Sequence, residues 1–312
     1  MNKMLILAED ANDYYPLVAA EHLPQLEIVF STESEEALAL VGDCNIILGE
    51  PPLIVDVLAP ARQLKWVQSS WAGVDRLCGP GVRQDYVLTG VKGIFGALIS
   101  EYVMTYLFAL ERRIFDMRAN QLKKRWLPKP YRLAKDVTLG IVGLGSIGQH
   151  LARTAGCYGL RVTGLNRSGE PCDGVEEVFT GENQQRFFTE ADYIVLTLPD
   201  TPKTRHFINA DVLAMMKPSA TLINVGRGSI VNESDLITAL QQGQIAAAVL
   251  DVFETEPLPA DSLLWSLPNV FVTPHFAAAS FPEDVVSIFT ENYARFLSSK
   301  PLLQQIDFAL GY

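Results

Sequence analysis

Cysteine is scarce in this 312-residue chain: Cys44, Cys78, Cys157 and Cys172 stand far apart. No CxxC pair and no zinc-type Cys/His spacing occurs, which excludes a disulfide scaffold and leaves no metal expected. A reduced, cytoplasmic chain is the simplest expectation. Long apolar runs are also missing. No stretch approaches the ~20 residues that cross a bilayer. The apolar run near Met4 is too short for a secretory leader, and no small-residue cleavage pattern follows it. Positive charge is in short supply too, with 25 Lys and Arg against 36 Asp and Glu and a formal charge of -11. That balance excludes nucleic acid or an anionic membrane as the main partner. An acidic protein that binds an anion must gather its few useful cations locally. No internal repeat or low-complexity segment stands out.

What is present is a globular composition, 48% hydrophobic and 20% charged. The length suits two domains. Five short apolar runs, at 4–8, 27–31, 44–49, 65–69 and 86–90, are separated by helix-like segments. A continuous apolar strand followed by a helix is the pattern of a parallel sheet covered on both faces. The stretch 100–120 has the spacing of one long helix, and a basic, proline-containing arm with Trp126 follows it. A second alternating series then begins: VTLGIV, RVTGLN, YIVLTLP, TLINV, AAAVLDVF and VFVTP. The fold expected is α/β with two doubly wound parallel-sheet domains. One is a flavodoxin-like substrate/catalytic domain of residues 1–99 plus 282–312. The other is a Rossmann dinucleotide-binding domain of residues 100–281, with the active site in the cleft between them.

Gly143-Leu144-Gly145-Ser146-Ile147-Gly148 follows the strand VTLGIV and opens a helix, and a second strand begins about 20 residues on. Gly143 suits a tight turn, Gly145 lets backbone approach a pyrophosphate, and Gly148 lets helix and strand pack closely. The helix start offers the free amides of Ser146, Ile147 and Gly148 and a positive dipole end. A dinucleotide cofactor is expected here. The second strand ends in Asn166-Arg167-Ser168, where an NAD site usually places a carboxylate for the ribose. Guanidinium binds a 2′-phosphate bidentately, and a carboxylate would repel it. NADP(H) is therefore the preferred cofactor and NAD(H) the alternative, unless Arg167 is only a solvated loop charge.

Three later segments end strands of the second series: Asn224-Val225-Gly226-Arg227-Gly228, Leu250-Asp251-Val252-Phe253-Glu254-Thr255-Glu256-Pro257, and Thr273-Pro274-His275-Phe276. With the glycine loop, and in this order along nearly the whole chain, they resemble the D-isomer-specific 2-hydroxyacid dehydrogenase family, in particular its bacterial glyoxylate/hydroxypyruvate reductases. The chemistry of 2-oxo acid reduction accounts for the residue types. Arg227, flanked by glycines, clamps the carboxylate and carbonyl oxygen. His275 is the acid that protonates the developing alkoxide, and Glu256 orients the imidazole and favours its charged form. Structural alternatives stand beside each role: a surface turn for Arg227, an acidic loop residue for Glu256, a core histidine for His275.

The resemblance implies the same three roles and a D product. It further implies that Asp251 accepts from the nicotinamide carboxamide, and that Leu198, Pro199, Thr204 and Val225 line the cofactor cleft. In Trp71-Ala72-Gly73-Val74-Asp75 it gives the amides of Ala72 and Gly73 to the substrate carboxylate. Phe276 departs from the family, which usually carries a smaller aliphatic residue there. The expected partners are a small anionic 2-oxo or 2-hydroxy acid and a second copy of the chain in a homodimer that covers Trp126. Two other readings of the same fold are a non-catalytic NAD(P)H-sensing corepressor and a formate or phosphite dehydrogenase.

Overall fold

The computed structural model describes residues 1–311 and divides the chain into two compact units, Met1–Ile94 with the stretch from Ser280 onward, and Phe95–Ala279. The chain passes from the first unit at 94/95, whereas the sequence pattern puts that passage at 99/100 and the return at 281/282. The first shift has a simple cause: Phe95 and Gly96 already belong to a helix and are buried in it.

In the first unit, β1 (Asn2–Leu7), β2 (Leu26–Ser31), β3 (Ile46–Gly49), β4 (Trp66–Ser69) and β5 (Val87–Thr89) form one parallel sheet in the order β2-β1-β3-β4-β5. Strands β3 and β4 are buried at every residue, so neither alternates; β3 reads as an apolar run, and β4 ends on the buried polar Gln68 and Ser69. Helices α1 (Ala11–Ala20), α2 (Ser34–Leu40), α3 (Pro51–Val57) and the single turn α4 (Asp75–Cys78) connect the strands.

The second unit opens with α5 (Phe95–Glu111) and α6 (Ile114–Leu122). The sequence predicts one helix over 100–120, but Arg113 takes left-handed backbone at φ 57° and breaks it. Helix α6 buries no residue fully; its Phe115 ring packs on Tyr106 of α5 at 6.4 Å and on Phe271 at 4.5 Å. The sheet holds β6 (Thr138–Val142), β7 (Arg161–Leu165), β8 (Glu177–Phe179), β9 (Tyr193–Leu196), β10 (Thr221–Asn224), β11 (Ala247–Leu250) and β12 (Val270–Val272). All pairings are parallel, in the order β12-β11-β10-β9-β6-β7-β8. The direction of winding reverses between β6 and β9, and open α/β sheets bind ligands outside the strand ends at such a point. Helices α7 (Ser146–Cys157), α8 (Gln184–Glu190), α9 (Ala210–Met215) and α10 (Glu233–Gln241) cover the faces. Helix α7 lies close against α5 because Gly96 carries no side chain: a Cβ there would stand 2.7 Å from His150 Cβ. Ser100 Oγ and His150 Nδ1 then meet at 2.9 Å.

The last helix, α11 (Pro282–Leu297), belongs to the first unit. Its Phe289 ring stacks on Trp66 of β4 at 5.0 Å, and Ile306 beyond it donates its amide to Leu88 O of β5 at 2.9 Å. No helix among the described residues is long and apolar enough to cross a membrane.

Candidate active site

The glycine loop leaves β6 at Gly143, whose φ of 101° is open to glycine and strained for other residues. Its amide donates to Leu165 O at 2.9 Å, and Thr197 Oγ1 donates to its carbonyl at 2.7 Å. Gly148 is required by contact: a Cβ there would lie 2.1 Å from Gly143 O. Around Gly145 nothing lies within 4 Å of such a Cβ, so the space over the first turn of α7 is open. A helix leaves its first amides without intrahelical partners. At Ser146, Ile147 and Gly148 they open α7 next to that space. The residues present thus fit a pyrophosphate: an open cradle, free donors and a positive helix end.

At the end of β7, Asn166 Oδ1 accepts from Gly169 N at 2.7 Å and from Ser168 Oγ at 3.4 Å. Asn166 and Ser168 therefore shape a turn, and that turn presents an exposed Arg167. After β9, Leu198 is half-buried and Pro199 exposed, and Thr204 donates its hydroxyl to Pro199 O at 2.6 Å. Thr204 thereby closes the 199–204 turn on itself, which leaves Leu198 and Pro199 to line the strand end. Val225, beyond β10, is half-buried.

Arg227 sits on a turn that the buried Asn224 builds from below: Asn224 Nδ2 donates to Arg227 O at 2.9 Å and its Oδ1 accepts from Gly226 N at 3.1 Å. Arg227 Nη1 donates back to Gly226 O at 2.7 Å. Gly228 allows the next approach, since a Cβ there would fall 1.8 Å from Phe253 C. The Arg227 turn thus lies backbone to backbone against the segment that carries Glu256.

His275 and Glu256 are in direct contact, Nδ1 to Oε2 at 2.8 Å. The other carboxylate oxygen, Oε1, accepts from Phe253 N at 2.9 Å. The hydrogen bond to Glu256 raises the His275 pKa above the ordinary imidazole value, against burial and the nearby Arg227 charge. Burial opposes ionisation of Glu256, yet the hydrogen bonds from His275 and Phe253, with the charges of His275 and Arg227, hold its carboxyl below the ordinary carboxylate value. With Nδ1 engaged, Nε2 is the imidazole atom left to face a substrate.

The backbone of His275 is left-handed at φ 52°, and its amide donates to Asp251 O at 2.8 Å. The buried Asp251 carboxylate accepts from Thr273 Oγ1 at 2.5 Å, Phe276 N at 2.8 Å and Ala277 N at 2.9 Å. Tyr102 OH meets Thr273 Oγ1 at 2.7 Å. Asp251 therefore braces the loop that presents His275, on both sides of that residue. Phe276 is 72% exposed, so its ring is no part of the core.

The family model for the D-isomer specific 2-hydroxyacid dehydrogenase NAD binding domain matches residues 104–277. The chain belongs to the D-isomer-specific 2-hydroxyacid dehydrogenase family. A glyoxylate/hydroxypyruvate reductase A of Escherichia fergusonii is 33% identical over 273 residues, covering 85% of this chain and 86% of its own. Among solved structures, a family protein of Aeromonas salmonicida is 45% identical with a TM-score of 0.95, over 98% of this chain and 99% of its own. A NADPH-dependent glyoxylate/hydroxypyruvate reductase of Sinorhizobium meliloti, solved with NADP and sulfate, is 30% identical with a TM-score of 0.90 over the whole of both chains.

In this family member the structure brings the glycine loop, Arg227, Glu256, Asp251 and His275 into one unit, at strand ends of one sheet. Ala72 and Gly73 belong to the other unit, in the turn between β4 and α4 that Ser69 holds by accepting from Trp71 N at 3.1 Å. Sequence reasoning misses Asn224, Thr273 and Tyr102, whose work is done through backbone turns and a neighbouring helix. A buried polar residue at a strand end, Asn224 above all, is the signal that points to them.

Proposed function

We propose that this chain is a NADP(H)-preferring reductase that converts a short 2-oxo acid, glyoxylate or hydroxypyruvate, to the D-2-hydroxy acid. The observation that carries this reading is the His275–Glu256 pair at 2.8 Å, within the unit whose glycine loop fits a dinucleotide. When bound, the reduced nicotinamide supplies the hydride taken up at C2. His275 Nε2 donates the proton to the carbonyl oxygen as charge develops there. Glu256 holds the imidazole by Nδ1 and keeps it charged until that moment. Arg227 binds the substrate carboxylate, a role in which its planar fork fixes orientation as well as charge. To Ala72 and Gly73 the proposal assigns carboxylate-binding amides. Non-catalytic sensing of NAD(P)H would need the glycine loop alone and leaves the acid pair without a purpose.

The preference for NADP(H) rests on the exposed Arg167 and on the lack of a carboxylate at the end of β7. The Sinorhizobium meliloti relative is NADPH-dependent by name. We further propose a homodimer that covers Trp126, which is 96% exposed in the single chain. A monomeric mass at micromolar concentration refutes that assembly. The function itself is tested by assaying a panel of 2-oxo acids, with formate and phosphite as controls, using both cofactors. Turnover of glyoxylate or hydroxypyruvate with NADPH in preference to NADH is expected; no 2-oxo acid turnover refutes the proposal.

A further inference from the structure

The segment that carries Glu256 has no regular secondary structure between Val252 and Leu258, yet Glu256 must stay within hydrogen-bond reach of His275. Two glutamates outside the acid pair hold that segment. Glu254 N donates to Glu233 Oε1 at 2.7 Å, and Glu233 N donates to Glu254 Oε1 at 3.1 Å. Each side chain thus accepts from the other residue's backbone amide. Glu233 is the first residue of α10, so its amide is one of the donors a helix leaves open. The Glu254 carboxylate fills that position and meets the positive end of the helix. Asn232 caps the same turn by accepting from Asp235 N at 3.1 Å.

The arrangement is fixed from two further sides. His206 Nε2 lies 3.1 Å from Glu254 Oε1, and its amide donates to Ser229 O at 2.8 Å in the segment that follows Arg227. Below, the backbone of Phe253 rests on Gly228 with no room for a side chain between them. Phe253 N is in turn the donor that holds Glu256 Oε1 at 2.9 Å. A movement of Glu254 therefore moves Phe253 and breaks the hold on Glu256. Two like charges are brought close to the acid pair by this arrangement, and burial followed by the charges of Glu254 and Glu256 raises the pKa of Glu233. A surface loop gains nothing from such crowding unless its position matters.

We infer that Glu233 and Glu254 are positioning residues, a crossed carboxylate–amide clamp that sets Glu256 against His275. The inference rests on the reading that His275 is the acid and Glu256 its orienting partner. It deepens that reading by adding residues that touch neither substrate nor cofactor.

The test follows the titration of the His275 imidazole by NMR in the full-length chain without cofactor, assigned by its loss in His275→Gln. The charged groups acting on that imidazole are Glu256, Arg227 and Asp251. Glu254→Ala removes the acceptor of the Glu233 amide and should lower the titration midpoint by roughly half a pH unit, since Glu256 no longer holds its place. The turnover rate with a 2-oxo acid should fall roughly three- to tenfold while the affinity for cofactor stays unchanged. Glu254→Gln keeps an acceptor oxygen while removing the charge, and should leave both midpoint and rate near wild type. Glu233→Ala should reproduce the Glu254→Ala result. Glu256→Gln, the direct change, must lower the midpoint further than Glu254→Ala does. A normal midpoint in Glu254→Ala beside a lowered one in Glu256→Gln overturns the clamp alone. Equal shifts in Glu254→Gln and Glu254→Ala overturn it as well, because charge and not position would then be the cause. A normal midpoint in Glu256→Gln overturns the acid-pair reading itself, and the clamp with it.

Discussion

Replacing Gly145 with alanine should separate cofactor binding from folding. Gly145 has φ -74° and ψ -167°, backbone that any residue adopts, and a Cβ there meets nothing within 4 Å. An alanine at this N-cap position costs at most ~1 kcal/mol relative to glycine, and the stiffer unfolded chain returns about 0.4–1 kcal/mol. The thermal midpoint should therefore stay within ~2 °C of wild type. The added methyl, however, stands in the open space over the amides of Ser146 and Ile147. Losing two charge-assisted hydrogen bonds there, at about 1.5 kcal/mol each or more, weakens NADPH binding roughly a hundredfold. Gly148→Ala is the contrasting change. Its Cβ would lie 2.1 Å from Gly143 O and 3.2 Å from Ile141 Cγ2, so the β6–α7 turn must move. Overpacking of that kind costs about 1–3 kcal/mol, which lowers the midpoint by roughly 2–10 °C. Titration calorimetry with NADPH and melting of the cofactor-free protein read the two effects independently. A Gly145→Ala protein with wild-type NADPH affinity refutes the pyrophosphate cradle, and one as unstable as Gly148→Ala refutes the claim that the space is open.

Three further outcomes follow from the same geometry. Because Glu256 raises the His275 pKa, the pair's contribution to stability is full below the ordinary imidazole value and is lost as pH rises through the raised one. On the acid side it is lost as pH falls through the lowered Glu256 value. The pair is half-exposed, so a screened interaction of ~1 kcal/mol corresponds to about 0.7 pH unit. Glu256→Gln should move the alkaline limb of the reduction rate down by about that much, and an unmoved limb contradicts the pairing. Arg227→Lys keeps the charge but loses the planar fork, so kcat/KM should fall at least ~tenfold; near-normal kinetics would remove Arg227 from the substrate. Arg167→Asp should weaken NADPH binding roughly ten- to a hundredfold and improve NADH binding, and an unchanged preference ratio would show a solvated loop charge.

Much of this protein is legible in its sequence because buried parallel strands leave a plain signal. The runs at β1, β3, β6, β9 and β10 are apolar along most of their length, so their number and order follow from hydrophobicity alone. Strand β8 has three residues, of which only Phe179 is buried, and such an edge gives no pattern to read. The break at Arg113 is invisible as well: nothing in ALERRIFD opposes a helix, yet the backbone turns left-handed there and α6 starts anew, with Phe115 set against Tyr106 and Phe271. In the site, the residues proposed to act through side chains, Arg227, Glu256 and His275, stand out by chemical type at strand ends. Those that act on backbone do not. Asp251 reads as a cofactor contact by resemblance, and spacing gives no sign that its carboxylate also accepts from Thr273 Oγ1, Phe276 N and Ala277 N. Thr204 and Asn166 likewise turn inward to their own loops. A loop's internal hydrogen bonds depend on its path, and residue spacing does not carry that information.

The central claim is that His275 supplies the proton in a reduction driven by NADPH, and a single comparison tests it most directly. Wild type and His275→Gln are measured for the single-turnover rate of glyoxylate or hydroxypyruvate reduction and for NADPH affinity by calorimetry. General acid catalysis is worth roughly 10²–10⁴ in rate and acts on the transition state. His275→Gln should show a loss of that size with NADPH affinity within about twofold of wild type. A His275→Gln enzyme that reduces the acid at the wild-type rate would contradict the claim.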